Sequence, residues 1–166
     1  MRFGQTVVVP DPDKRLHVSF VCTGNICRSP MAAQVFRSHL DAAGVDDVAV
    51  TSAGTGGWHV GEPADPRAAE VLRRNGYATD HAARQLDSAE LSADLLIALG
   101  NDHLASLRRS VPEPERVRLL RSFDPAAPAG AEVPDPYYGG PDGFDEVLTM
   151  IEAAMPGLVD WVRSRA

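Results

Sequence analysis

The sequence predicts an α/β fold: one domain built on a four-stranded parallel twisted sheet with helices on both faces. Three observations predict it. Short apolar runs of strand character alternate with helical periodicity along the 166-residue chain, the pattern of β-α-β units whose right-handed crossovers give a parallel sheet. One run, Asp94-Leu95-Leu96-Ile97-Ala98-Leu99, is apolar at consecutive positions, as a strand buried on both faces must be. The C-terminal segment sets Phe144, Val147, Leu148, Ile151, Met155, Leu158 and Val162 at three- and four-residue intervals, the stripe of a helix lying on a sheet.

The elements follow in order. Leu16 to Val21 is the first strand. Ser29-Pro30 ahead of Met31-Ala32-Ala33-Gln34-Val35-Phe36 opens a helix with proline in its first turn, and Gly44 ends it as a C-cap. Val48 to Ser52 is the second strand, and Gly54, Gly56, Gly57 and Gly61 make the loop after it. Asp65-Pro66 supplies an N-cap and a first-turn proline, Ala69 and Leu72 recur at helical spacing, and Asn75-Gly76 closes that helix. Asp94 to Leu99 is the third strand, Asn101 to Arg109 a helix, and Arg116 to Leu120 the fourth strand. Between Ser122 and Gly143, prolines 125, 128, 134, 136 and 141 and glycines 130, 139, 140 and 143 mark a long irregular connection of the kind that usually carries function. Pro156 is expected to kink or restart the last helix. Residues 1–15, with Pro10 and Pro12, are expected to be a flexible N-terminal extension in which Val7-Val8-Val9 alone could pair; the domain is expected over 16–166.

Composition narrows the function classes. An apolar content of 44% and a charged content of 23% are those of a soluble globular chain. The net charge of −7 argues against a nucleic-acid surface, which needs an excess of Lys and Arg to displace counterions. No apolar run approaches the roughly 18 residues that span a bilayer, and the N-terminus lacks the pattern of a signal peptide. A cytoplasmic protein is therefore expected, with export lacking a leader left open. The two cysteines, Cys22 and Cys27, share one loop, so they are not a disulfide framework.

That loop, Val21-Cys22-Thr23-Gly24-Asn25-Ile26-Cys27-Arg28-Ser29-Pro30, is the most informative stretch. It runs from the carboxyl end of a strand into a helix, where ligands bind in open α/β sheets and where amide N–H groups and the helix dipole favour an anion. The same field and a nearby cation stabilise a thiolate, so Cys22 is expected to be ionised at neutral pH. Arg28 offers a planar fork of donors suited to two phosphate oxygens. A nucleophile and a clamp thus face one phosphate-sized ligand. A bare Cys-x5-Arg also fits a buried structural cysteine; the strand-loop-helix context favours the site.

The segment Cys22 to Ala32 resembles the signature of the low-molecular-weight protein tyrosine phosphatases, and Trp58-His59-Val60-Gly61, Pro156-Gly157-Leu158 and Asp160-Trp161-Val162 resemble the actinobacterial members. Further stretches resemble family segments in family order: Val50 to Gly61, Ala64-Asp65-Pro66-Arg67-Ala68, His81-Ala82-Ala83-Arg84-Gln85 and Asp135-Pro136-Tyr137-Tyr138-Gly139. The resemblance implies a Rossmann-like phosphatase fold and hydrolysis of protein phosphotyrosine through a phosphocysteine, with Cys22 as nucleophile, Arg28 as clamp and Asp135 as general acid and base. It implies a phosphate loop made by Thr23, Gly24, Asn25, Ile26, Cys27 and Ser29, with Ser29 stabilising the departing thiolate and with Asn25, Ser52 and His81 shaping the loop. Trp58, Tyr137 and Tyr138 would be pocket walls able to stack on a phenol ring. On local sequence alone, a turn-forming Asp before proline is the commoner case, and it is the resemblance that favours the acid. Gly100 departs from the family, which commonly carries Asp there, and puts support of the loop in doubt.

Cys27 has two readings: the partner of Cys22 in a reversible disulfide, or a small buried apolar residue. The five histidines and the carboxylates show no metal-ligand spacing, and neither metal nor cofactor is expected. The expected partners are tyrosine-phosphorylated proteins, with inorganic phosphate as product, no nucleic acid and no membrane, and the chain is expected to be a monomer. Three rivals remain. Arsenate reductases of this fold pass oxidising equivalents to further cysteines, which this chain lacks. Phosphoarginine phosphatases typically carry Thr where Ile26 stands. A silent phosphate-binding regulator would have no need of Asp135.

Overall fold

The computed structural model describes residues 13–137, 139–140 and 142–165. Val7-Val8-Val9 and Tyr138 lie outside the described residues. Four parallel strands, β1 (Leu16–Cys22), β2 (Val48–Gly54), β3 (Leu95–Ala98) and β4 (Val117–Leu119), form one sheet in the order β2-β1-β3-β4. Among the described residues five α-helices accompany them: α1 (Arg28–Ala42), α2 (Pro66–Arg74), α3 (Ser88–Leu91), α4 (Asn101–Ser110) and α5 (Gly143–Arg163). Short 3₁₀ turns at Pro114–Arg116 and Leu120–Phe123 flank β4.

The strand order places the site. From β1 the chain crosses through α1 to β2 on one side, whereas β3 pairs on the other side and leads through α4 to β4. Right-handed crossovers running in opposite directions put α1 and α4 on opposite faces. The connections at the carboxyl ends of β1 and β3 therefore diverge and leave a crevice. The loop after β1 occupies it.

Each face has its own core. Val18 and Phe20 of β1 and Ile97 of β3 pack with Phe36 of α1, Leu72 of α2 and Ile151 of α5. Val21, Leu96 and Val117 pack on the other face with Leu107 of α4. Leu95, Leu96, Ile97 and Ala98 are all buried, which explains why β3 reads as a continuous apolar run. Each such Leu, Ile or Phe contributes about 1.5–3 kcal/mol of transfer free energy.

Several expectations need correction. The helix at Asp65 buries Ala68, Val71 and Leu72, so its inner face is centred one residue from Ala69. There Asp65 caps as expected, accepting from the Arg67 N–H at 2.8 Å. Strand β2 runs on to Gly54 because it also pairs with the loop at Gln85, and β4 begins only at Val117 because the 3₁₀ turn takes Arg116. Pro156 does not restart the last helix, which continues to Arg163. Pro156 lies on its exposed side, where water can satisfy the carbonyl that proline leaves without a donor, while Met155, Leu158 and Val159 stay packed on the core. Of the N-terminal segment, Arg15 is tied down by its N–H on the Asp47 carbonyl at 2.9 Å and its Nε on the Asp47 carboxylate at 2.8 Å. Among the described residues no helix is long and apolar enough to cross a membrane.

Candidate active site

Cys22 ends β1, Arg28 begins α1, and the residues between them arch over the helix N-terminus. Asn25 holds the arch. It has φ of 58°, in the left-handed region that costs most side chains roughly 1–2 kcal/mol, and its buried side chain offsets that cost with hydrogen bonds. Its Nδ2 donates to Ser29 Oγ at 2.8 Å and Ser52 Oγ at 3.0 Å, and its Oδ1 accepts the Arg84 N–H at 2.8 Å. Its carbonyl accepts from His81 Nε2 at 2.6 Å, which fixes the proton on that nitrogen. Burial lowers the pKa of His81, outweighing the opposing effect of this bond, so the ring stays neutral.

Ser29 Oγ lies 2.9 Å from Cys22 Sγ. Because that oxygen already accepts from Asn25, its own hydrogen is available to the sulfur. The other thiol differs. Burial, then the charge of Asp65, pushes Cys27 up to about 12, which holds it as a neutral thiol. Both cysteines are free and buried.

The end of β2 closes on the loop's far side. A Cβ at Gly54 would lie 2.6 Å from the Thr23 carbonyl oxygen, so only glycine lets the Thr55 and Gly56 N–H groups reach the carbonyls of Cys22 and Thr23, each at 2.9 Å.

At Gly100 the expected doubt has a physical answer. A Cβ there would lie 2.9 Å from Asp102 Oδ1, 3.2 Å from Glu132 Oε1 and 3.3 Å from His103 Nδ1, so these side chains crowd the space that a larger residue would need. The Gly100 N–H donates to His103 Nδ1 at 3.1 Å, which leaves the ring proton on Nε2 to donate to Thr23 Oγ1 at 2.8 Å. The buried imidazole supports the loop, and burial lowers its pKa, with the Arg28 charge acting the same way against the pull of Asp102.

Asp135 approaches from the irregular connection. Its Oδ1 accepts the Tyr137 N–H at 3.0 Å, the turn expected from local sequence, while Oδ2 stands 3.7 Å from Arg28 Nη2. One oxygen of the carboxyl thus makes the turn while the other faces Arg28. Arg28 is buried and anchored through Nη1 to the Val133 carbonyl at 3.1 Å.

Cys22, Thr23, Gly24, Ile26, Cys27, Arg28 and Asp135 line a cavity of about 380 Å³, with Trp58, His59 and Tyr137 at its walls. Trp58 is 74% exposed, so it is a wall and not core. Tyr137 is braced from behind by Arg67, whose Nη1 donates to the Tyr137 carbonyl at 3.1 Å and whose guanidinium lies 5.2 Å from the ring centre. Arg67 in turn grips Asp65. Burial would raise the pKa of that carboxyl, but the Arg67 hydrogen bonds outweigh it and hold it low. Asn25, Ser29, Ser52 and His81 are brought to the loop but do not line the cavity. Among the described residues no cluster of three or more His, Cys, Asp or Glu side chains could hold a metal ion.

A model of the low molecular weight phosphotyrosine protein phosphatases matches residues 17–165. The chain belongs to this family. The Low molecular weight protein-tyrosine phosphatase A of Mycobacterium tuberculosis is 57% identical over 152 residues, covering 90% of this chain and 93% of the relative. The low molecular weight protein-tyrosine-phosphatase of Streptomyces coelicolor is 56% identical over 154 residues, covering 89% and 94%. A crystal structure of a protein tyrosine phosphatase from Entamoeba histolytica, with Hepes in its active site, superposes with a TM-score of 0.85 at 33% identity, covering 90% of this chain and 97% of that one. These likenesses fit a low-molecular-weight phosphatase of actinobacterial type.

The sequence reading passes over several residues around this site. His59 at the wall and Arg84 under Asn25 lie in family-resembling stretches but have no role of their own in that reading, and His103 and Glu132 carry no local motif. A buried polar cluster lies behind them. The His17 Nε2 proton is given to Thr51 Oγ1 at 2.7 Å, and Thr51 donates to Glu90 Oε2 at 2.7 Å. Ser19 also donates to Glu90, and Arg84 Nη2 stands 2.9 Å from Glu90 Oε1, as a close ion pair and not as an aligned hydrogen bond. One signal was available: His17 and Ser19 share a strand face, and two polar side chains on a buried face call for a buried partner.

Proposed function

We propose that the protein hydrolyses phosphotyrosine in proteins through a phosphocysteine intermediate, and that it does so without a metal or cofactor. The carrying observation is the convergence of Cys22 and Arg28, from one loop, and Asp135, from a distant connection, on one aromatic-walled cavity.

In this reading the Cys22 thiolate attacks phosphorus while loop amides and Arg28 hold the non-bridging oxygens. The bond to the phenolic oxygen breaks as protonated Asp135 gives its proton to that oxygen, whose conjugate acid has pKa ~10. Asp135, now a carboxylate, takes a proton from water. The water oxygen attacks phosphorus, the sulfur–phosphorus bond breaks, and Ser29 donates to the released thiolate. Inorganic phosphate leaves. Trp58 and Tyr137 flank the ring, and the depth they add suits phosphotyrosine over the shorter phosphoserine. Tyr138 belongs to the same proposal as a third wall, and signalling in the cytoplasm is the setting it suggests. The apolar Ile26 in the lining favours an aryl ester over phosphoarginine.

The test compares turnover of phosphotyrosine, phosphoserine, phosphoarginine and arsenate by the wild type and Cys22→Ser. Phosphotyrosine is expected to be preferred, Cys22→Ser to be inactive, and a chelator to change nothing. Turnover surviving in Cys22→Ser, or lost to the chelator, would overturn the proposal.

A further inference from the structure

We propose that Glu132 and Asn101 are positioning residues for Asp135, fastening the acid-bearing loop to the junction of β3 and α4. The inference rests on the reading of Asp135 as proton donor.

The described residues between Phe123 and Gly143 contain no helix or strand, and the Asp135 side chain is 44% exposed. The turn contact of Oδ1 with the Tyr137 N–H sets the carboxyl relative to its own loop, and the placement of that loop against the site falls to its long-range ties. The Val133 N–H donates to the Leu99 carbonyl at 2.9 Å, which joins the loop to the end of β3. The Asn101 N–H, at the first position of α4, donates to Glu132 Oε1 at 2.5 Å, and Asn101 Nδ2 donates to the Gly130 carbonyl at 3.0 Å. A carboxylate at that helix end also meets the positive end of the dipole. Arg121 Nη1 adds a bond to the Glu132 carbonyl at 3.0 Å. Val133, next in sequence, presents its carbonyl to Arg28 Nη1, and Asp135 follows two residues later. The tie at Asn101 and the phosphate clamp thus bracket the short stretch that aims the acid. Gly100 leaves the room in which the Glu132 carboxylate sits.

A displaced proton donor has a distinctive signature. Donation matters most for a basic leaving oxygen, so a misplaced acid slows phenyl phosphate while sparing 4-nitrophenyl phosphate, whose phenol is far more acidic. A damaged phosphate loop slows both alike.

The experiment measures kcat/KM on both esters for wild type, Asp135→Ala, Glu132→Ala, Glu132→Gln and Asn101→Ala. Asp135→Ala is expected to lose roughly 10²–10⁴-fold on phenyl phosphate and much less on the nitrophenyl ester. Glu132→Ala is expected to lose about tenfold on phenyl phosphate, as a small displacement of a reacting group would, and less than about twofold on the other ester. Glu132→Gln keeps an oxygen for the Asn101 N–H and should recover most of the loss, and Asn101→Ala should lean the same way as Glu132→Ala. Inhibition by inorganic phosphate should be unchanged in the Glu132 and Asn101 variants. If Asp135→Ala slows both esters equally, the acid role fails and the inference with it. If Asp135→Ala discriminates but Glu132→Ala and Asn101→Ala slow both esters equally or neither, the acid stands and the positioning role of Glu132 and Asn101 is wrong.

Discussion

Replacing Asn25 by alanine should cost both fold and activity, and the cost can be worked from its contacts. The substitution removes three side-chain hydrogen bonds, to Ser29 Oγ, Ser52 Oγ and the Arg84 N–H, in a fully buried setting. At about 1 kcal/mol each this is ~3 kcal/mol. Alanine also tolerates φ of 58° less well than asparagine, which adds about 1 kcal/mol. The sum, ~4 kcal/mol, is a large part of the 5–15 kcal/mol that roughly bounds a domain's stability, and should lower Tm by about 8–16 °C. Asn25→Gly separates the contributions, since it relieves the backbone while still losing the bonds, and should recover about 1 kcal/mol. Urea unfolding followed by tryptophan fluorescence measures both, and kcat with phosphotyrosine should fall because Ser29 loses the bond that orients it toward Cys22. A midpoint shift worth less than about 1 kcal/mol with turnover intact would refute the claim that this amide holds the loop.

Three further outcomes follow from the same contacts. Glu90→Gln leaves Arg84 without its buried counter-charge and should cost about 3–5 kcal/mol in urea unfolding, with Arg84→Met adding much less than its own single cost; full additivity would mean the pair is uncoupled. Gly54→Ala drives a methyl against the Thr23 carbonyl and should cost about 1–3 kcal/mol and most of the turnover; wild-type activity would show that the loop can give way. Burial lowers the pKa of His17, His81 and His103, so below about pH 6.5 the unfolded chain binds protons that the folded protein refuses. Their contribution is complete above that pH and is lost as pH falls toward the folded values, by up to ~1.4 kcal/mol per unit for each ring. Equal urea midpoints on either side of that pH would contradict it.

What the sequence could disclose was what is contiguous in it. Cys22 to Ser29 spans strand end, loop and helix start, so its chemistry is visible as one string, and β3 is visible because burial on both faces leaves no polar position. Residues that reach the loop from a distance left no such trace. His103 and Glu132 are ordinary polar residues in sequence, and only the sheet order, which brings the connections after β1 and β3 together, gives them work; Arg84 sits in a family-resembling stretch, but its contact with Asn25 is visible only in the fold. The restart expected at Pro156 failed for a related reason. The local rule concerns an isolated helix, whereas α5 is held by Ile151, Met155 and Leu158 on either side of the missing bond.

The central claim is that sulfur of Cys22 takes the phosphoryl group. Rapid quenching of Asp135→Ala with 4-nitrophenyl phosphate, followed by peptide mass spectrometry, tests it most directly, because removing the base should slow hydrolysis of the intermediate. The account predicts one phosphoryl group on the peptide carrying Cys22, none in Cys22→Ser, and a burst of nitrophenol matching it. Phosphate released at the full rate from an enzyme never modified at Cys22 would contradict it.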